Sequence, residues 1–359
     1  MTADALIRAA RTSSRTRCGA GALALCIVAG AMVSACGPEE DGLPDDPKTE
    51  EVRALTQTDP SRTWHAVTGL LRDIATANGP SSRWGVDTNF GQNSFGQSGN
   101  RVVKWSGDRW AATAGRGVRI ALRGTGDADL DGVSGSFVPW VVTSDGRIWR
   151  ATDTSGSAWV RMPDLSDGVT ARDIGGGGSI NNMTMWCAGS DGRVYLFVDG
   201  ENRWRPLSRT GAGFPLSIAP TNVVRVAGPV RMSPGSLYLY EVVALTYLGE
   251  VWAYLLNSSE GWVRLDTGAE FFRTDVASEA SLAELNLQRF LTSTMVTTSQ
   301  PGSHTPVQSF NADRGGFWST GAYAVGGVPI SSTPIAISSD VDRHRVWIVT
   351  ADSHVYYGE

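Results

Sequence analysis

The chain has 359 residues, of which 41% are hydrophobic and 19% are charged, so it is long and apolar enough to bury a large core. Its net charge of -5 excludes the strongly basic class that binds nucleic acid, and we expect no nucleic-acid partner. The 42 glycines and 13 tryptophans favour an all-β fold, in which short strands carry aromatic side chains and glycine-rich turns connect them.

The N-terminus has the composition of a secretory signal. Four arginines within residues 8–17 precede an uncharged run of small and aliphatic residues at 19–32, and Val33-Ser34-Ala35-Cys36 follows. This tetrapeptide resembles the lipobox of bacterial lipoproteins, which implies that residues 1–35 are a removable signal peptide and that Cys36 is acylated. An ordinary signal peptide cut after Ala35 and an uncleaved transmembrane helix are the alternatives.

The lipobox resemblance also implies a location and a membrane partner. Acyl chains on Cys36 anchor the protein in the cell envelope, and Gly37 in place of Asp favours the outer membrane. Residues 36–61 hold eight acidic and two basic side chains, which predicts a disordered acidic linker. The globular domain is then expected at 62–359.

The cysteines predict no disulfide and no zinc site. Cys18 and Cys26 lie in the segment that we expect to be removed, and Cys36 carries the lipid. Cys187 lies in an apolar run, where a buried and unreactive thiol is the expected state. No Cys-x-x-Cys motif or Cys/His cluster is present in the sequence.

All the tryptophans lie between Trp64 and Trp347, and they recur in a three-part pattern. The clearest copy has an apolar hairpin at 138–149, a second Trp strand at Trp159 and an apolar run at 171–175. The hairpin turns on Ser-Asp-Gly-Arg at 144–147, and the next copy repeats this at 190–193, because Asp-Gly supplies the positive φ angles of a tight turn. Periods of about 40 to 50 residues are typical of propeller blades.

Six copies predict a six-bladed β-propeller. The tryptophans that close them are 45 to 58 residues apart: Trp64, Trp110, Trp159, Trp204, Trp262 and Trp318. The hairpin around Trp347 lacks the last parts of the pattern, and the segments at 62–67 and 71–75 supply them, so we expect one blade to be shared between the terminal segments. The last two full copies are degenerate, with an insertion at 278–287, and five or seven blades remain as alternatives.

The repeated phrase resembles the tectonin and tachylectin-like repeats. It reads Trp-x-x-Val, then Asp-Ile-Ala/Gly-x-Gly, then Trp-x-Val, then Asp-Gly-x-Ile/Val-Trp/Tyr, and the resemblance covers roughly residues 62–359. It implies a β-propeller, and several members of that family bind carbohydrate or bacterial lipopolysaccharide.

Few residues indicate chemistry. The histidines, His65, His304, His344 and His354, belong to no recognisable catalytic motif. The glycines at 175–178 are interpreted as a turn between blades, since no Lys-Ser/Thr follows as in a phosphate-binding loop. Alternating carboxylates at Asp127, Asp129 and Asp131 are typical of a calcium loop, although Val138 replaces the Glu of an EF-hand; a solvated acidic loop is the alternative.

The sequence therefore favours a non-catalytic binding module anchored at the envelope, with a glycan or lipopolysaccharide as ligand and no cofactor other than calcium. Phe90, Phe95 and Phe214 are the aromatic residues in predicted loops that are suited to stack on a sugar. A protein–protein scaffold in an envelope complex is the alternative function, and a hydrolase is the third.

Overall fold

The computed structural model describes residues 64–77, 82–124, 137–179, 182–207, 219–228, 240–255, 261–264, 273–281, 291–298, 307–311, 318–319, 332, 334–340 and 345–358. These ranges form strands and turns, with one short 3-10 turn at Asp199–Glu201. No helix within them is long and apolar enough to cross a bilayer.

The described strands form six antiparallel four-stranded units, which we number as blades in chain order. Blade 1 consists of the second half of β1 (Trp64–Thr76), β2 (Arg83–Gln92), β3 (Ser98–Trp105) and β4 (Trp110–Gly117). Blade 2 consists of β5 (Arg119–Gly124), β6 (Phe137–Val142), β7 (Ile148–Ala151) and β8 (Trp159–Arg161). Blade 3 consists of β9 (Ala171–Ser179), β10 (Asn182–Gly189), β11 (Val194–Val198) and β12 (Arg203–Pro206).

The second half of the chain repeats the arrangement. Blade 4 consists of β13 (Val223–Ala227), β14 (Tyr240–Thr246), β15 (Val251–Leu255) and β16 (Trp262–Arg264). Blade 5 consists of β17 (Arg273–Ser281), β18 (Leu291–Thr298), β19 (Val307–Asn311) and β20 (Trp318–Ser319). Blade 6 consists of β21 (Pro334–Asp340), β22 (Arg345–Thr350), β23 (His354–Gly358) and the first half of β1.

The six blades form a closed ring, so the predicted β-propeller is confirmed. The first strand of each blade contacts the first strand of the next one, and β21 of blade 6 contacts β1 of blade 1. The predicted shared blade is also present, because Trp64–Leu70 pairs with β23. The segment at 71–75 was expected in the same blade, but Leu71–Thr76 pairs with β2 and opens blade 1. A single strand thus closes one blade and opens another, which leaves no unpaired edge at the seam.

The division of the repeat into blades differs from the sequence interpretation. The Asp-Ile run was expected to end a blade, but in the structure it is the innermost strand of the following blade, as Ala171–Ser179 of blade 3 shows. Spacing along the chain does not reveal which neighbour a strand pairs with, so the sequence alone left this assignment open.

A small residue follows the isoleucine of the inner strand in four blades, and packing explains it. In the inner strands of blades 1, 2, 3 and 6, this position lies opposite a buried tryptophan of the second strand. The four pairs are Ala75–Trp84, Ala121–Trp140, Gly175–Trp186 and Ser338–Trp347. All four indoles are at most 2% exposed, so the blades pack around them. A small residue on the opposite strand leaves space for the indole ring.

The glycine run at 175–178 is not a turn between blades, as the sequence suggested, but part of strand β9. A Cβ on Gly176 would lie 1.8 Å from the carbonyl oxygen of Leu122 in β5, and one on Gly175 would lie 2.7 Å from that of Val226 in β13. Glycine is needed here because the backbones of three neighbouring inner strands approach closely.

Candidate functional site

One face of the propeller carries the hairpin turns between the second and third strands, and we call it the turn face. The turn residues accept hydrogen bonds from the inner strand of the following blade: Ala171 N–H donates to Gly146 O (2.9 Å) and Val223 N–H to Gly192 O (3.1 Å). Leu71 N–H donates to Ser353 O (2.8 Å) in the same way across the seam between blades 6 and 1. The turns therefore fix each blade against its neighbour.

A groove of about 460 Å³ opens between the hairpin turn of blade 2 and the loop that leads to blade 3. Ile148 and Leu165, both buried, belong to its lining and give it an apolar floor. Its volume lies within the range of pockets that hold small ligands. We call it the blade 2–3 groove; its lining residues are 145–148, 161 and 163–170.

The rim of the blade 2–3 groove is charged and exposed. Asp145 pairs with Arg147 at 3.2 Å, and Arg161 donates to both carboxylate oxygens of Asp164 at 2.8 and 3.0 Å. These side chains are 43% to 63% exposed, so solvent screens the pairs and they contribute little to stability. Carboxylates and guanidinium groups beside an apolar floor are suited to bind the hydroxyls of a polar ligand.

A second polar feature surrounds the central axis. Four consecutive inner strands carry an acid or an arginine at the same register position, which we call the charge belt: Asp73, Arg119, Asp173 and Arg225. Each carboxylate accepts a backbone N–H of the next blade at 2.8 Å: Asp73 from Ile120 and Asp173 from Val226. Arg119 lies between the two carboxylates, 3.6 Å from Asp73 and 3.8 Å from Asp173.

Burial sets the ionisation of one belt residue. Desolvation raises the pKa of Asp73 to about 6, and the guanidinium of Arg119 opposes this by favouring the charged form. The charge belt joins blades to one another through buried hydrogen bonds, and nothing in its geometry pairs a nucleophile with a base.

The sequence-predicted site residues are dispersed. Phe90 lies in β2 rather than in a loop and is 61% exposed, at the register position opposite Asn100. Phe95 lies in the β2–β3 turn but packs against the apolar cluster between blades 1 and 2. Phe214, the carboxylates Asp127, Asp129 and Asp131, and Cys36 lie outside the described residues, so the calcium and lipid sites stay predictions. Within the described part of the chain no group of three or more ligand-type side chains is placed to hold a metal ion.

The histidines and the cysteine have structural surroundings. His65 stacks on Tyr357 with ring centroids 4.9 Å apart, and His354 lies 3.2 Å from the carboxylate of Asp352. Cys187 is fully buried, and its desolvation raises the pKa of the thiol well above the usual value. His304 and His344 are not among the described residues.

The sequence did not indicate the blade 2–3 groove. The sequence signal that could have revealed the groove is the pair of Asp-Gly turns at 145–146 and 167–168, which lie in the two segments that form its walls. Polar turns are common in proteins without any binding role, so these segments do not stand out in the sequence as a site.

Comparison with known proteins adds little to this description. No protein-family model and no curated protein match the chain. Among solved structures it is similar to the crystal structure of BBS1N in complex with ARL6DN, soaked with lead, at 14% identity and a TM-score of 0.47, over 83% of this chain and 97% of that one. It is also similar to the structure of U3-55K, at 9% identity and a TM-score of 0.47, over 82% and 98% of the two chains. Similarities at this level carry no functional argument, and the fold stands on the sheet topology of the chain itself.

Proposed function

We propose that this protein is a non-catalytic binding module, held at the cell envelope by a lipid on Cys36, and that its turn face binds a saccharide in the blade 2–3 groove. The observation that carries the proposal is the groove itself, with its apolar floor at Ile148 and Leu165 and its charged rim. Apolar and polar groups side by side match a sugar, which offers C–H faces and hydroxyls together. The resemblance to tectonin repeats supports the same ligand class.

A glycan array with the full chain tests the ligand. We expect binding to a subset of saccharides, and the variants Asp145→Asn and Arg161→Gln to weaken it about tenfold each, because each removes a charged hydrogen-bonding group from the rim. The matched control is Asp108→Asn, an exposed carboxylate in the β3–β4 turn on the opposite face. A blank array at high protein concentration, or equal losses in the control, removes the saccharide proposal.

The anchor has a separate test. Replacing Cys36 with Ser removes the only thiol of the lipobox, so the precursor is expected to accumulate and fatty-acid labelling to disappear. Fractionation of the wild type is expected to place the protein in the outer membrane. Normal processing of the Ser variant together with a wholly soluble wild type contradicts the lipid anchor.

A protein–protein scaffold is the second candidate, and one observation favours it. At the turn-face hairpin of blade 4, Tyr247 is 76% exposed and Leu248 is 44% exposed. The equivalent residues of blade 2 are Ser144 and Asp145. Exposed aromatic and aliphatic side chains in a turn that tolerates polar ones are typical of protein contacts. Cross-linking in membranes tests it: the double variant Tyr247→Ser, Leu248→Asp is expected to lose the adducts that the wild type forms.

A further inference from the structure

The inner strands carry a second pattern, one residue before the charge belt. In β1 and β9, the register with the second strand shifts between Leu71 and Asp73 and between Ala171 and Asp173. The residues left over at these bulges are Arg72 and Arg172, and both are exposed. Bulges often re-aim a side chain beside a functional site.

The fold does not require arginine at this bulge. The equivalent residue of β13 is Val224, and that of β21 is Ile335, so apolar side chains occupy the same backbone geometry in blades 4 and 6. The two arginines of blades 1 and 3 are therefore not explained by the strand conformation.

The charges of the belt do not neutralise these arginines. Asp73 and Asp173 each accept a backbone N–H and share the guanidinium of Arg119, while Arg225 supplies the second positive charge of the belt. Within the described ranges, the side chains of Arg72 and Arg172 have neither an ion pair nor a hydrogen bond. Neither guanidinium group is therefore neutralised by an ion pair with a described carboxylate, although the whole chain is acidic.

The position of these groups suits an anion. The inner strands begin at the turn face, since Leu71 and Ala171 bond to the turns Ser353 and Gly146. Arg72 and Arg172 belong to the inner strands of blades 1 and 3, which surround the central axis on either side of the inner strand of blade 2. A guanidinium presents a planar set of donors that matches the oxygens of phosphate or carboxylate.

We propose that the channel entrance on the turn face is an oxyanion-binding site, in which Arg72 and Arg172 bind a phosphate- or carboxylate-bearing ligand. The site uses residues apart from the blade 2–3 groove, so it does not depend on the saccharide proposal. If one ligand spans both, it is an anionic saccharide whose charged group lies at the channel and whose ring lies towards blade 2.

Titration calorimetry of the detergent-solubilised full chain tests the site with two probes, sodium pyrophosphate for phosphate and citrate for carboxylate. We expect wild type to bind at least one probe, more weakly as salt is added, and the stronger probe identifies the chemical source of the natural ligand. Arg72→Gln and Arg172→Gln are each expected to weaken binding about tenfold, and the lysine variants to weaken it less.

The matched control is Arg193→Gln. Arg193 is a 71% exposed arginine in the turn-face hairpin of blade 3, and it already faces Asp191 at 3.7 Å, so its loss is expected to leave binding within about twofold. Arg172→Val copies the residue of blade 4 and provides a second variant that the fold accepts. The proposal is overturned if wild type binds neither probe, if the Arg72→Gln, Arg172→Gln double variant binds like wild type, or if Arg193→Gln is equally weakened. Failure of the glycan array with intact probe binding would reject only the saccharide proposal.

Discussion

The substitution Gly176→Ala probes a close backbone approach between two blades. The added Cβ would lie 1.8 Å from the carbonyl oxygen of Leu122 and 2.8 Å from its carbonyl carbon, whereas ordinary contacts begin at 3.4 Å. The obstacle is backbone and has no rotamer to change. Strand β9 cannot retreat freely either, because Gly176 pairs with Met185, which is fully buried.

The expected cost follows from these contacts. Adding a methylene to a packed interior usually costs about 1–3 kcal/mol, and a clash with a carbonyl that requires blades 2 and 3 to separate belongs at the upper end or beyond it. We therefore expect Gly176→Ala to lower the free energy of unfolding by about 3 kcal/mol and the melting temperature by roughly 5–10 °C. Thermal unfolding followed by tryptophan fluorescence measures the shift, since Trp186 is buried beside β9.

Gly200→Ala is the matched control for this experiment. No atom lies within 4 Å of the Cβ that it would add, so a change within about 0.5 kcal/mol is expected. Equal melting temperatures for Gly176→Ala and Gly200→Ala would refute the reasoning, because they would mean that the inner strands are not packed as closely as the structure has them.

Three further predictions concern single residues. The folded state raises the pKa of Asp73 from 3.8 to about 6, so it favours the protonated form. Asp73 therefore stabilises the protein at low pH, and about 3 kcal/mol of that contribution is lost as the pH rises from about 3 to about 7. Urea unfolding is expected to show that the stability of wild type relative to Asp73→Asn falls over that pH interval, and a difference independent of pH contradicts this. The charged groups around Asp73 are Arg119, Asp173 and Arg225. Ser353 has a φ of 71° at the turn position that Gly146 and Gly192 occupy in blades 2 and 3. Ser353→Gly is therefore expected to stabilise the folded protein by about 0.5–1 kcal/mol, and Gly146→Ala to destabilise it. A destabilised Ser353→Gly variant would be evidence against a strained turn. Cys187 is buried and its thiol pKa is raised, so iodoacetamide is expected to label the Cys187 peptide only after unfolding. Mass spectrometry that finds this peptide labelled in native protein disproves the burial argument.

The blade count could be predicted from the sequence because a Trp strand recurs in every predicted copy and the clearest copies add a second local signal. Trp110 and Trp159 begin the outer strands of blades 1 and 2, and Trp204 is the second residue of the outer strand of blade 3. Asp-Gly turns join the middle strands of blades 2 and 3. Both signals depend on residues close together in the chain, where spacing is informative. The pairing of β1 with β23 was also predictable, since the C-terminal hairpin lacked the Trp strand that the N-terminal segment supplies. The pairing of Leu71–Thr76 with β2 was not predicted, because the Asp-Ile run was assigned to the end of a blade.

The candidate sites were not predictable in the same way. Asp73, Arg119, Asp173 and Arg225 are about 50 residues apart, and their alternation becomes visible only when the inner strands are aligned by register. The blade 2–3 groove likewise depends on how the loop at 161–170 lies against the hairpin at 145–148, which composition does not determine. Conversely, Phe95 looked like a loop aromatic, but the β2–β3 turn places its ring against the interior.

The alternation of the charge belt also explains why one seam of the ring is built differently. Ala336 occupies the belt position in blade 6, where it is fully buried in an apolar cluster with Leu71, Ile74 and Trp347. Between blades 1 and 2 the belt residue Asp73 accepts a backbone N–H, but Ala336 has no group to accept one from blade 1. The seam between blades 6 and 1 instead depends on apolar packing, on the pairing of β1 with β23, and on the bond from Thr76 N–H to Ser338 Oγ at 2.9 Å. Because β1 belongs to both blades, the chain itself holds this seam together, and a buried ion pair there would add a desolvation cost without being needed for closure.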